Sequence, residues 1–211
     1  EKIYFTFVVF PPGEYLMGSP EDQADRPRDE RLHRVKLTRP LAVSAREVTW
    51  ADYDPADSGR TRAAWERHFD RKLTPEEPAF GVHWFAAVQY CRWLTAQSGW
   101  SEADQCYDDP ESLPKDAEGN PQQWPVHLER HGFRLPTEAE WENVCRCGLR
   151  TAYSFGNDPG LLAHYAWFVD NSQKWSHATG RLCPILRGLF DMHGNLYEWC
   201  HDWHGTEVSD S

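Results

Sequence analysis

The stretch Gly188-Leu-Phe-Asp-Met-His-Gly-Asn-Leu-Tyr-Glu-Trp-Cys-His-Asp-Trp203 limits the possible folds more than any other part of the chain. Two glycines, Gly188 and Gly194, suit tight backbone turns. Two carboxylates, Asp191 and Glu198, and the amide of Asn195 sit among Phe190, Tyr197, Trp199 and Trp203. Neither a helical period nor strand alternation accommodates all of these residues. The stretch therefore reads as a compact, irregular turn whose polar groups point inward and whose indoles pack into a core. Hard oxygen ligands around a glycine turn suit calcium. The candidate ligands are the side chains of Asp191 and Glu198 and the carbonyls near Gly194 and Leu196. The same groups have a plainer use, in which Asp191 and Asn195 bond to backbone amides and hold a loop.

A length of 211 residues is enough for one domain with a real core, and residues 1–211 are expected to form a single domain. Aromatics make up 14% of the chain, with 11 Trp, which places it among folded proteins rather than disordered ones. The net charge of −11 argues against nucleic acid as a partner, because phosphate binding needs a basic face. No apolar run is long enough to span a membrane. The opening Ile3–Phe10 is too short for that and lacks the basic start and cleavage site of a signal peptide. Six Cys in a chain of this length do not make a disulfide scaffold. Cys145-x-Cys147 and Cys200 lack the paired spacing of a zinc site. A reducing, cytoplasmic setting is expected.

Along the chain, residues 3–10 read as a buried strand, Pro11-Pro12-Gly13 as a turn, and Glu14–Gly18 as a returning strand. Residues 19–33 mix both charge signs and read as a solvated loop. Two strands are expected between His33 and Val48, separated at Arg39-Pro40. Thr49 is a good cap for a short helix, and Thr61–Asp70 suggests another. Trp84, Ala87, Val88, Cys91 and Leu94 fall on one face of a helix that Gly99 ends. Residues 101–130 read as a surface excursion, with Cys106-Tyr107 and Gln123-Trp124 able to pair as a hairpin. Thr137-x-x-Glu140 is a capping box that starts a second clear helix. Glu138, Glu140 and Glu142 invite a paired-carboxylate mechanism, but the cap accounts for Glu140, and acids belong at a helix start. Residues 149–187 look irregular. Capped helices, short strands and much irregular chain fit the α+β class.

Gly188-Leu-Phe-Asp-Met-His-Gly-Asn-Leu-Tyr-Glu-Trp199 resembles the G-L-Y/F-D/N-M-x-G-N-V/L-x-E-W signature of the formylglycine-generating enzyme family, also called sulfatase-modifying factors. Gly132-Phe-Arg-Leu-Pro-Thr-Glu-Ala-Glu-Trp-Glu142 resembles that family's G-Y/F-R-L-P-T-E-A-E-W-E. The likeness runs from Gly13 to Trp203. It implies a C-type-lectin-like fold, low in regular secondary structure, with two main helices and short antiparallel strands. It also maps a structural calcium ion onto Asp191, Gly194, Leu196 and Glu198. Some family members carry a second calcium ion in this region, for which Asn171 is a candidate, but without an obvious partner carboxylate no second ion is assigned.

In catalytic members, a cysteine of a target protein such as a sulfatase is oxidised by molecular oxygen to formylglycine. Two cysteines that bind Cu(I) do this, a pairing of soft thiolates with a soft metal. They lie downstream of the G-N-x-x-E-W motif, in a segment resembling R-G-G-S-W…C-R. The 211 residues hold no such segment, so none of them is assigned a catalytic role, and copper is expected only if the chain continues. Cys200, His201 and His204 form a local sulfur and nitrogen cluster, but Trp199, Asp202 and Trp203 match a structural part of the family pattern whose intervening positions vary freely. Two functions are therefore expected from the resemblance. One is a formylglycine-generating oxidoreductase acting on a protein substrate. The other is a non-catalytic, lectin-like module that binds a protein or peptide, of the kind that is also found attached to another domain such as a protein kinase.

Overall fold

Four short strands open the chain: β1 (Phe7–Phe10), β2 (Gly13–Met17), β3 (His33–Leu37) and β4 (Leu41–Ser44). The computed structural model describes residues 3–21, 23, 26, 30–116, 119 and 124–202. β1 pairs antiparallel with β4 and β2 with β3, with Phe10 opposite Leu41 and Tyr15 opposite Val35. β2 thus follows β1 in sequence but returns on β3. β1 is not buried as the sequence suggested: Phe7 and Val9 are 39% and 61% exposed, whereas Phe10 is 4% exposed. A two-stranded sheet packs one face only, and alternate side chains must face outward.

Helix α1 (Trp50–Asp57) starts at Thr49, as expected. Asp52 completes a capping box there: its Oδ2 accepts from the Thr49 N–H at 3.0 Å, and the Asp52 N–H donates to Thr49 Oγ1 at 3.3 Å. Asp52 is buried, and Arg46 faces its Oδ2 at 3.5 Å. α2 (Arg60–Phe69) follows after the left-handed Ser58 and Gly59. α3 (Trp84–Gln97) and α4 (Glu138–Arg146) are the two helices that periodicity and capping predict most clearly. Among the described residues no helix is long and apolar enough to cross a membrane.

The chain divides into two units. The first gathers described residues of Glu1–Phe80, Thr137–Glu198 and Asp202–Ser211; the second gathers Gly81–Pro136 and Trp199–His201. In the first, Phe10, Val144, Cys145, Ile185, Leu189 and Met192 form one core cluster. In the second, α3 buries Val88, Cys91 and Leu94, with Tyr90 and Thr95 also buried.

The stretch 101–130 is not wholly a surface excursion. Cys106, Tyr107 and Trp124 are 0%, 0% and 4% exposed, and they pack with Val88 and Cys91 as the second unit's core. Charge and proline content hid this role, because these buried residues are few in a stretch of mostly polar and proline residues. The Tyr107 hydroxyl accepts from the Leu135 N–H at 3.2 Å, and the Trp124 indole donates to the Asp108 carbonyl at 2.8 Å. The antiparallel bridge joins Tyr107 to Val126, and Gln123 lies outside the described residues.

Tyr107→Ala should cost about 3–5 kcal/mol of stability, the usual loss for a buried aromatic, whereas Lys115→Ala on the same segment should stay within about 0.5 kcal/mol. Urea denaturation of both variants checks this; equal, small effects would return the segment to the surface.

Candidate metal centre

Helix α4 seats the turn that carries the candidate ligands. Thr137 and Glu140 tie off the exposed amides at its start: Glu140 N–H donates to Thr137 Oγ1 at 3.2 Å, and Thr137 N–H donates to Glu140 Oε2 at 2.9 Å. The helix then presents Val144 and Cys145 to Leu189 and Met192, and the Trp141 indole N–H donates to Glu198 Oε2. Glu142 is also structural, because it accepts from the Gly18 N–H at 2.7 Å and from Arg146 at 2.6 Å. Glu140 and Glu142 are thus held by structural hydrogen bonds.

The turn itself depends on Asn195. Its backbone N–H donates to the Trp167 carbonyl at 2.8 Å, and its Oδ1 accepts from the His177 N–H at 2.9 Å. Its Nδ2 donates to Glu47 Oε2 at 2.7 Å and to the His177 carbonyl at 3.1 Å. Asn195 and Asp191 both adopt left-handed backbone, at φ 67° and 61°. Gly194 serves a different purpose from a turn: a Cβ there would lie 2.2 Å from the Trp167 carbonyl oxygen, so only glycine allows that approach. Gly188, at φ 89°, is the turn glycine.

All four sequence-predicted ligand positions keep a free oxygen. Asp191 Oδ2 accepts from the Gly180 N–H at 2.8 Å, while its Oδ1 is buried without a hydrogen-bond partner. Glu198 gives only Oε2 to Trp141. The carbonyls of Gly194 and Leu196 accept no hydrogen bond from any described residue. An orphaned buried carboxylate oxygen costs free energy unless something else, such as a cation, meets it. Among the described residues no three His, Cys, Asp or Glu side chains form a complete ion cage. The set therefore needs its main-chain carbonyls, which suits a hard, oxygen-seeking ion.

A residue not expected at this centre is Glu47. Its Oε1 accepts from the Leu196 N–H at 3.1 Å, while its Oε2 meets Asn195. Burial, with Glu198 and Asp191 close by, pushes its carboxyl up to about 9. Burial also raises Glu198, against the Trp141 hydrogen bond and with help from Asp191, and burial raises Asp191. Asp191 is buried and Glu47 half-buried, and each lies near enough to Glu198 for their negative charges to repel. In sequence Glu47 precedes a helix cap and is 144 or more residues from the turn, so no local pattern could reveal it.

Other expectations for this region divide. Asp191 and Asn195 point inward as expected, but the indoles do not all enter a core: Trp199 is 52% exposed, and Tyr197 is fully exposed. The Trp199 N–H satisfies itself on the Val82 carbonyl at 2.8 Å, so its ring need not be buried. Trp203 and His204 lie outside the described residues. Asn171 is a local tie, accepting from the Phe168 N–H at 2.7 Å and donating to the Ala166 carbonyl at 2.9 Å. The six cysteines are all free thiols. Burial pushes Cys91 and Cys145 up to about 12 and raises Cys106 and Cys147, which disfavours the thiolates that soft metals require.

The Sulfatase-modifying factor enzyme 1-like domain family matches residues 3–209. The chain belongs to this family. Among relatives of this sulfatase-modifying-factor-like domain, the formylglycine-generating enzyme of Thermomonospora curvata is 28% identical, over 98% of this chain and 76% of that protein. The serine/threonine-protein kinase pkn1 of Chlamydia caviae is 38% identical over 96% of this chain, but this is only 29% of the kinase. The chaperone protein LppX of Paenibacillus barcinonensis is 28% identical over 61% of this chain, which spans about half (53%) of that protein's length. Among solved structures, Treponema denticola variable protein 1 superposes with a TM-score of 0.79 at 24% identity, covering 98% of this chain and 76% of its own. This likeness, with the helices and short antiparallel strands described above, establishes the formylglycine-generating-enzyme type of fold.

Glu47 gives the ion-free domain a distinctive pH dependence. Its folded pKa is raised above the unfolded value, so its contribution is fully present below about pH 4.5 and is lost as pH rises through about 9. In chelator, Glu47→Gln should flatten the fall in melting temperature across that window; an unchanged slope would place Glu47 outside the centre. Gly194→Ala should destabilise by about 1–3 kcal/mol through overpacking against Trp167, which urea denaturation would register.

Proposed function

We propose that this domain is the scaffold of a formylglycine-generating-type enzyme, which oxidises a cysteine of a target protein such as a sulfatase, and that a structural calcium ion stabilises it. The reading of activity rests on likeness to formylglycine-generating enzymes along nearly the whole chain. The Streptomyces coelicolor enzyme adds 32% identity over 93% of it. The described thiols are not the reacting pair, because burial raises four of them; the chemistry needs the paired cysteines that catalytic members carry downstream of the Glu198-Trp199 motif. Copper, where those cysteines are present, supplies the chemistry with oxygen.

The observation that carries the calcium reading is that Asp191, Gly194, Leu196 and Glu198 each keep an oxygen without a hydrogen-bond partner among the described residues. One of them, Asp191 Oδ1, is buried without a partner. A bound divalent ion would offset the repulsion among Asp191, Glu198 and Glu47. It would stabilise the fold by binding the folded state selectively.

The likeness to a kinase, of which this domain spans 29%, supports a second reading. In that reading the domain is a non-catalytic module that recognises a protein or peptide, joined to other machinery.

Two measurements test these readings. Melting temperature should rise with added calcium and fall with excess chelator, and Asp191→Ala should remove the difference. Coincident melts would eliminate the ion. A Cys-x-Pro-x-Arg peptide incubated with the full-length protein, Cu(I) and oxygen should yield the aldehyde by mass spectrometry. If a correctly metallated sample yields none, the recognition-module reading stands instead.

A further inference from the structure

A groove of about 270 Å³ opens where β2, β3 and the carboxyl end of α4 meet. Three guanidinium groups, those of Arg34, Arg146 and Arg150, line it with one carboxylate, that of Glu14, in a chain whose net charge is −11. Their ordinary partners do not use them up. Arg146 commits its Nε to Glu142 at 2.6 Å, and its terminal nitrogens have no partner among the described residues. Arg34 only approaches Glu14, at 3.6 Å, and both side chains are well exposed, so that pair is weak. Arg150 forms no hydrogen bond or ion pair with any described residue. The helix end explains Arg146, since cations suit a helix carboxyl terminus. Nothing within the fold explains Arg150.

The geometry points to an acidic peptide segment of a protein partner as the occupant of this groove. A cavity of about 270 Å³ is smaller than the usual ligand pockets of roughly 300–1,000 Å³, so it holds one or two side chains rather than a cofactor. The free guanidinium nitrogens of Arg146 and Arg150 match a carboxylate, which accepts forked hydrogen bonds. Tyr15, Leu16 and Leu149 line the same groove and offer apolar surface to the stems of neighbouring residues. A free inorganic anion would gain nothing from that surface. No groove residue belongs to the Asp191–Glu198 centre, so the proposal holds whether or not that centre takes an ion.

The test is fluorescence anisotropy of a labelled Leu-Glu-Glu-Leu-Glu peptide, and of its Gln counterpart, titrated with the full chain at low and high salt. The acidic peptide should bind and the Gln peptide should not, with affinity falling as salt rises. Arg150→Glu should weaken binding by about tenfold or more, the equivalent of one lost charge-assisted hydrogen bond. Its melting temperature should be unchanged; if it is not, Arg150→Ala replaces it. Equal binding of both peptides, or unaltered binding by the Arg150 variant, would overturn the proposal. So would binding of inorganic phosphate alone without the peptide, which marks an adventitious anion site.

Discussion

The interaction on which the first unit most depends is the one between the Glu47 carboxylate and the Asn195 turn. One oxygen takes the Asn195 amide, and the other takes the Leu196 N–H. Asn195 in turn binds Trp167 and His177 through its own backbone and side chain. Four distant stretches of a chain with little regular structure are thereby fixed to one another. A long helix or wide sheet would achieve this with repeated backbone hydrogen bonds; here a few partly buried side chains do it. Such networks specify one arrangement because a half-satisfied member is costly.

That economy explains the electrostatic tension at the same place. Glu47, Asp191 and Glu198 are all raised by burial, and Glu47 is raised further by the other two acids. A fold seeking stability alone would not gather three acids around an amide. Their retention beside free carbonyls makes physical sense if a cation completes the set. The same logic separates these acids from the glutamates of α4, which share the motif-rich part of the chain. Glu140 and Glu142 are satisfied by backbone amides at Thr137 and Gly18, and Glu142 also by Arg146, and so have no unmet demand.

Most of the secondary structure was legible in the sequence. The N-cap at Thr49 and the capping box at Thr137 announced α1 and α4, and the 3.6-residue spacing from Trp84 to Leu94 announced α3. These signals are local: a hydroxyl and a carboxylate three residues apart satisfy amides wherever they occur. The burial of residues 101–130 was not legible. Tyr107 and Trp124 stand alone among charges and prolines, and a lone aromatic carries no period. Strand pairing was hidden for the same reason, since β-strand sequences do not state which partner they meet.

By itself the sequence determined the family, the helices and the four candidate oxygen donors at Asp191, Gly194, Leu196 and Glu198, because each is written in contiguous residues. Tertiary structure decided the rest. It brought Glu47 to Asn195 across 148 positions, left Asp191 Oδ1 buried without a partner, and gathered three arginines around one groove. Burial and long-range charge arise only when distant segments pack together, and no local pattern in a chain encodes them.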